Sequence, residues 1–225
     1  TLVFTHGAGG TLAAPAVVNF CTGYSSLRDV YAFQGSMNLK SRVRGFHACV
    51  EQLRNRKLIT EKGELELVLG GRSMGSRAAV IAATETISSW REESAGKEDQ
   101  KFSLILVSYP LVGPKNDIRD KILLDLPQKA RVLFVIGERD SMCPLSKLSE
   151  VRKKMEAESW LVVIKGADHG MHVKPTKAEK ALGVMVGRIA AEWVGGERLA
   201  KKKDEKEVAV GWDGESEEVT QGTWE

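Results

Sequence analysis

Gly70-Gly71-Arg72-Ser73-Met74-Gly75-Ser76-Arg77-Ala78-Ala79-Val80 is the stretch whose reading decides the fold. It follows an apolar run at 65–69 and opens a helix-forming run at 76–87, so residues 71–75 read as G-x-S-x-G set between a strand and a helix. The glycines let the chain turn sharply and pack where a side chain would clash. The serine hydroxyl then stands exposed at the helix N-terminus. A plain glycine turn with a capping serine would use the same residues, so the rest of the chain has to decide between them.

Outward from this turn, short apolar runs alternate with helical patterns. Residues 2–5, 30–33, 65–69, 102–108, 132–136 and 160–164 predict six strands. Helices are expected over 14–22, 40–56, 76–87, 145–156 and 177–194; the second places Val43, Phe46, Val50 and Leu53 on one face. Such alternation implies a mostly parallel sheet covered by helices on both faces. The polar segment 91–101 is expected at the surface. One domain is expected over 1–196, followed by a charged tail without structure over 197–225, where apolar periodicity fades.

A serine at neutral pH is a weak nucleophile, so a base must take its proton and a carboxylate must orient that base. The strand at 132–136 runs into Gly137-Glu138-Arg139-Asp140, and the strand at 160–164 into Gly166-Ala167-Asp168-His169-Gly170. Asp140 and His169 thus follow separate strands on the edge where open parallel sheets bind ligands, with Glu138 as the alternative acid. Taken singly, each could be an ordinary loop residue. Together with Ser73 they give the order serine, acid, histidine. The oxyanion of an acyl-transfer intermediate needs two amide donors, and Met74, after the serine, and Ala8, in the His6-Gly7-Ala8-Gly9-Gly10 turn, are the candidates. His172, three residues past His169, is expected to be too far along the chain to act as the base.

Composition narrows the rest. Lys and Arg exceed Asp and Glu by 33 to 30, a net charge of +3, which points to neither nucleic acid nor an anionic membrane. Lys40, Arg42, Arg44, Arg54, Arg56 and Lys57 have no interleaved aromatic residues and read as a solvated helix face. The cysteines Cys21, Cys49 and Cys143 have no ligand or disulfide spacing, so no metal site and a reducing, intracellular setting are expected. Cys143, near Asp140, receives no role. Lys201 to Lys203 is a short basic cluster interrupted by acids, read as ordinary charged tail. No run is long enough to span a bilayer. The turn after the first strand half-matches a dinucleotide fingerprint, but Leu12 replaces its third glycine and the strand ending at Phe33 and Gln34 lacks a ribose-binding acid. No cofactor is expected.

With these residues identified, the chain resembles the α/β-hydrolase superfamily, on the side of the dienelactone-hydrolase-like enzymes, over residues 1–194. His6-Gly7-Ala8-Gly9, the stretch 70–77, Ser108-Tyr109-Pro110-Leu111 and Gly137-Glu138-Arg139-Asp140 look more closely like the testis-expressed and non-specific-lethal-complex-subunit hydrolase-like family. The resemblance implies an α/β-hydrolase fold and Ser73, Asp140 and His169 as its triad. Two strands usual before the first one here are missing, and the short 108–132 connection leaves no space for a lid domain. The expected function is a metal-independent serine hydrolase acting on a small ester, thioester or amide. The alternative is a non-catalytic interaction module, because one branch of that family resembles a subunit of a chromatin-acetylating complex. An intracellular, cytoplasmic location is expected, with the nucleus as the other option.

Overall fold

The computed structural model describes residues 1–58, 67–93, 102–196 and 206–225. Apolar runs become strands in the expected places: β1 (Leu2–Thr5), β2 (Val30–Phe33), β3 (Val68–Arg72), β4 (Phe102–Val107), β5 (Ala130–Gly137) and β6 (Glu158–Ile164). The helices are α1 (Pro15–Ser25), α2 (Leu39–Asn55), α3 (Met74–Glu93), α4 (Lys121–Leu124), α5 (Leu145–Arg152) and α6 (Thr176–Gly195). β3 extends past the expected run because its pairing with β4 continues through Gly70 and Gly71 to Arg72; residues 65 and 66 lie outside the described residues. So does most of the polar segment 91–101.

These six strands pair in parallel in the order β2-β1-β3-β4-β5-β6. Parallel pairing leaves both faces of the central strands to be covered, and β1, β4 and β5 are accordingly almost wholly buried. Side chains alternate between two cores. Val3, Leu69, Leu104, Leu106 and Phe134 pack toward α2, α3, α4 and α5, whereas Phe4, Val68, Ile105, Leu133 and Val135 pack toward α1 and α6. Between β4 and β5 stand only the four-residue α4 and an antiparallel bridge from Val112 to Ile118, so no lid domain is inserted there.

Among the described residues the sheet has eight strands rather than six, which corrects the expected tail. β7 (Glu207–Asp213) pairs in parallel with β6, and β8 (Glu218–Gln221) folds back antiparallel on β7. Residues 197–205 lie outside the described residues. Within Glu-Val-Ala-Val-Gly-Trp-Asp, Val208 and Val210 alternate with smaller residues and are 3% and 0% exposed, joining the core beneath α6. That period-two pattern was hidden by the charged run before it. Removing residues 206–225 should therefore strip the edge of β6 and expose the apolar side chains beneath, at a cost of about 3–6 kcal/mol. For a domain of this size that lowers the melting temperature by roughly 10–20 °C. A melting temperature within 2–3 °C of the full chain would mean that β7 and β8 add nothing.

Candidate active site

Because β3, β5 and β6 run parallel, the loops at their C-terminal ends emerge on one edge of the sheet. Ser73 follows β3, Asp140 lies three residues past β5, and His169 lies five past β6. Ser73 turns the chain with φ of +53°, in the left-handed region, and its amide donates to the Val107 carbonyl at 2.9 Å. Helix α3 begins at the next residue. The turn needs its glycines: a Cβ on Gly75 would lie 2.7 Å from the carbonyl oxygens of both Thr5 and His6, and one on Gly71 would lie 2.5 Å from the Gly75 carbonyl carbon.

The three side chains meet in series. Ser73 Oγ lies 3.0 Å from His169 Nε2, and His169 Nδ1 lies 2.9 Å from each carboxylate oxygen of Asp140. The Asp140 side chain is fully buried, and one of its oxygens also accepts the Met142 amide at 2.9 Å. A carboxylate accepts hydrogen bonds, so the imidazole proton belongs on Nδ1, leaving the Nε2 lone pair for the serine O–H. The imidazole itself is partly open to solvent.

The alternatives fall elsewhere. Glu138 is exposed and accepts the Gly166 amide at 2.8 Å, tying the loops after β5 and β6 together without facing His169. His172 has a largely exposed side chain whose Nδ1 stands 3.4 Å from Glu179 Oε1. Among the described residues, the amides of Ala8, in the turn after β1, and of Met74, the first residue of α3, donate no hydrogen bond, and that turn meets the elbow where a Cβ on Gly7 would lie 3.3 Å from Ser73 Cβ. Two free amides beside a nucleophile are what an oxyanion site requires.

Two arginines escaped the sequence reading. Arg72, the variable residue before the serine, donates to the His169 carbonyl at 2.6 Å, and a Cβ on Gly7 would come within 2.9 Å of its Nη1. It therefore holds the histidine loop while packing beside the turn after β1. Burial lowers its pKa, while Asp140 and Asp168 oppose that shift. Arg42, expected on a solvated face, is instead 0% exposed. Its position was readable, since it precedes Val43 and shares a helix face with Phe46, Cys49 and Leu53. Lys40, Arg44, Arg56 and Lys57 are exposed as expected.

A cavity of about 160 Å³ lies between α1, α6 and the C-terminal ends of β4, β5 and β6, bounded by Gly7, Arg72 and Met171. Neither Ser73 nor His169 lines it. Among the described residues no cluster of three His, Cys, Asp or Glu side chains is placed to hold a metal ion, and no helix is long and apolar enough to cross a membrane. Cys143 is fully buried, and its thiol is pushed up to about 12, first by burial and then by the Asp140 charge.

An open, mostly parallel sheet with a serine elbow after one strand and its acid and histidine after two later ones defines the class of α/β hydrolases. The family model described as an alpha/beta hydrolase domain matches residues 1–194, and the chain belongs to that family. Solved structures agree on the fold. An α/β serine hydrolase homologue from Coxiella burnetii is 16% identical, with 83% of this chain and 84% of that chain covered and a TM-score of 0.59. Est1E from Butyrivibrio proteoclasticus, solved with ferulic acid bound, is 16% identical over 84% of this chain and 89% of that chain, with a TM-score of 0.57. Dienelactone hydrolase from Anabaena variabilis is 17% identical over 86% and 84%, with a TM-score of 0.53.

Proposed function

We propose that the chain is a serine hydrolase that cleaves a small ester, thioester or amide through an acyl-enzyme. The observation that carries this reading is the hydrogen-bonded series from Ser73 through His169 to Asp140. His169 Nε2 takes the hydroxyl proton as Ser73 Oγ attacks the acyl carbon, and the Met74 and Ala8 amides receive the oxyanion. The imidazolium, stabilised by Asp140, then gives its proton to the leaving group. Water, deprotonated by the same imidazole, attacks the acyl-enzyme and regenerates the serine.

The stretch 70–77 and the Gly137-Glu138-Arg139-Asp140 turn resemble the testis-expressed and non-specific-lethal-complex-subunit hydrolase-like family. That resemblance supports a second reading, an interaction module in a protein complex, in which the same side chains never turn over substrate. A fluorophosphonate probe separates the two. The folded chain should take up one equivalent, with the adduct mapping by mass spectrometry to the peptide carrying Ser73, and prior denaturation should abolish labelling. A folded chain that stays unlabelled would replace the hydrolase by the interaction module.

A further inference from the structure

Arg42, on the first turn of α2, carries a full positive charge into the interior. Its Nε donates to the Ser36 carbonyl at 3.0 Å and its Nη2 to the carbonyls of Gly35, at 3.1 Å, and Ser36, at 2.6 Å. Its Nη1 donates to Thr5 Oγ1 at 3.2 Å and to the His6 carbonyl. Every acceptor is a neutral oxygen: among the described residues no carboxylate pairs with this guanidinium. Gly35 is constrained by it, since a Cβ there would lie 2.1 Å from Nε. A buried cation without a counter-ion is costly, and a guanidinium does not shed its proton to escape that cost.

The groups it grips lead to the candidate oxyanion donors. The His6 carbonyl belongs to the peptide immediately before the one that carries the Ala8 amide. The same oxygen lies against Gly75, in the first turn of α3, next to Met74. His6 itself is buried, with Nδ1–H donating to the Gly7 carbonyl at 2.8 Å and Nε2 accepting the Gly35 amide at 3.1 Å. The turn after β1 is thus clamped from behind by one imidazole and one guanidinium, both anchored on the loop after β2.

We propose that Arg42 is a positioning residue for the oxyanion site: it fixes the His6-Gly7-Ala8 turn and leaves an unneutralised positive charge behind the Ala8 and Met74 amides. The inference rests on the reading of Ser73 as the nucleophile. Negative charge on the substrate oxygen exists only after attack, so the field of Arg42 favours the transition state over the bound ester. Burial and the charge of Arg42 hold the His6 imidazole below the ordinary histidine pKa, which keeps Nε2 free to accept the Gly35 amide.

The test compares Arg42→Met, near-isosteric along the stem but neutral, with Arg42→Lys, which keeps the charge and loses the fork. Kinetics on p-nitrophenyl acetate, affinity for an aryl boronic acid and an NMR titration of His6 are measured on each. In the methionine variant kcat should fall about 30-fold, equivalent to about 2 kcal/mol, with KM changed less than about threefold and boronate affinity falling with kcat. The His6 pKa should rise. Lysine should restore kcat to within about fivefold of native. A folded methionine variant with native kcat, or lysine and methionine variants equally slow, would overturn the inference while leaving Ser73 as nucleophile. If the methionine variant does not fold, the lysine variant decides: kcat within about fivefold supports the role of charge, and a loss of 30-fold or more overturns it. Absence of turnover in the native chain would remove both readings together.

Discussion

Ser73→Ala should leave the chain folded and lower kcat on an activated ester by roughly 10⁵-fold. The fold should survive because, among the described residues, the only hydrogen bond that the Ser73 hydroxyl makes is with His169 Nε2. The backbone bond from the Ser73 amide to Val107 and the glycine contacts that shape the elbow do not involve that hydroxyl. Alanine tolerates the left-handed φ of +53° about as poorly as serine does, so the strain of the turn is unchanged and melting should shift by no more than about 3 °C. On the proposed mechanism the reaction loses its nucleophile altogether. What remains is oxyanion binding and substrate orientation, which in an enzyme of this type still exceed the uncatalysed rate by about 10³–10⁴. Kinetics on p-nitrophenyl acetate beside a thermal melt check both halves. A folded alanine variant with native kcat would move the nucleophile elsewhere.

How much of this could be read from the sequence follows from the reach of each interaction. Strands buried on both faces are apolar almost throughout, so runs such as Leu2–Thr5 and Phe102–Val107 announce themselves without any partner. Parallel connectivity then requires residues that follow different strands to converge on one edge, which is why Ser73, Asp140 and His169 could be chosen together although 67 and 96 positions separate Asp140 and His169 from the serine. Glycine spacing around Ser73 was legible for the same reason, since backbone approach to Thr5 and His6 admits nothing larger. β7 was not, because a strand with one covered face shows only alternation, and three residues of it, Val208, Val210 and Trp212, were outweighed by the charges beside them. Arg42 and Arg72 were missed for a different reason. The helix face of Arg42 could be read from Phe46, Cys49 and Leu53, but what receives its charge, and that of Arg72, is mostly backbone carbonyl oxygen, and backbone acceptors leave no mark on residue type.

His169→Ala should lower kcat by about 10⁴-fold, whereas His172→Ala should cost no more than about tenfold. Both histidines lie in the loop after β6, yet their surroundings separate them. Gly166, at φ of +72°, turns the chain out of β6, and the Arg139 amide bonds to the Ala167 carbonyl at 2.8 Å. The Arg72 guanidinium then holds the His169 carbonyl itself. This fixes the aim of the His169 ring: Nε2 faces Ser73 at 3.0 Å and Nδ1 faces the buried carboxylate of Asp140. His172 is 66% exposed along its side chain and turns toward Glu179. Its carboxylate neighbour is thus Glu179 on α6, and among the described residues no hydrogen bond joins its ring to Ser73, so it has no route to the serine proton. The reverse ranking in two folded variants would transfer the base to His172. A second measurement tests whether the residues act as one unit. Once the nucleophile is gone the base has no proton to take, so Ser73→Ala combined with His169→Ala should be no slower than Ser73→Ala alone. Losses that multiplied would mean that the histidine and the serine act separately, and the hydrogen bond between them would then be structural rather than the path of the proton.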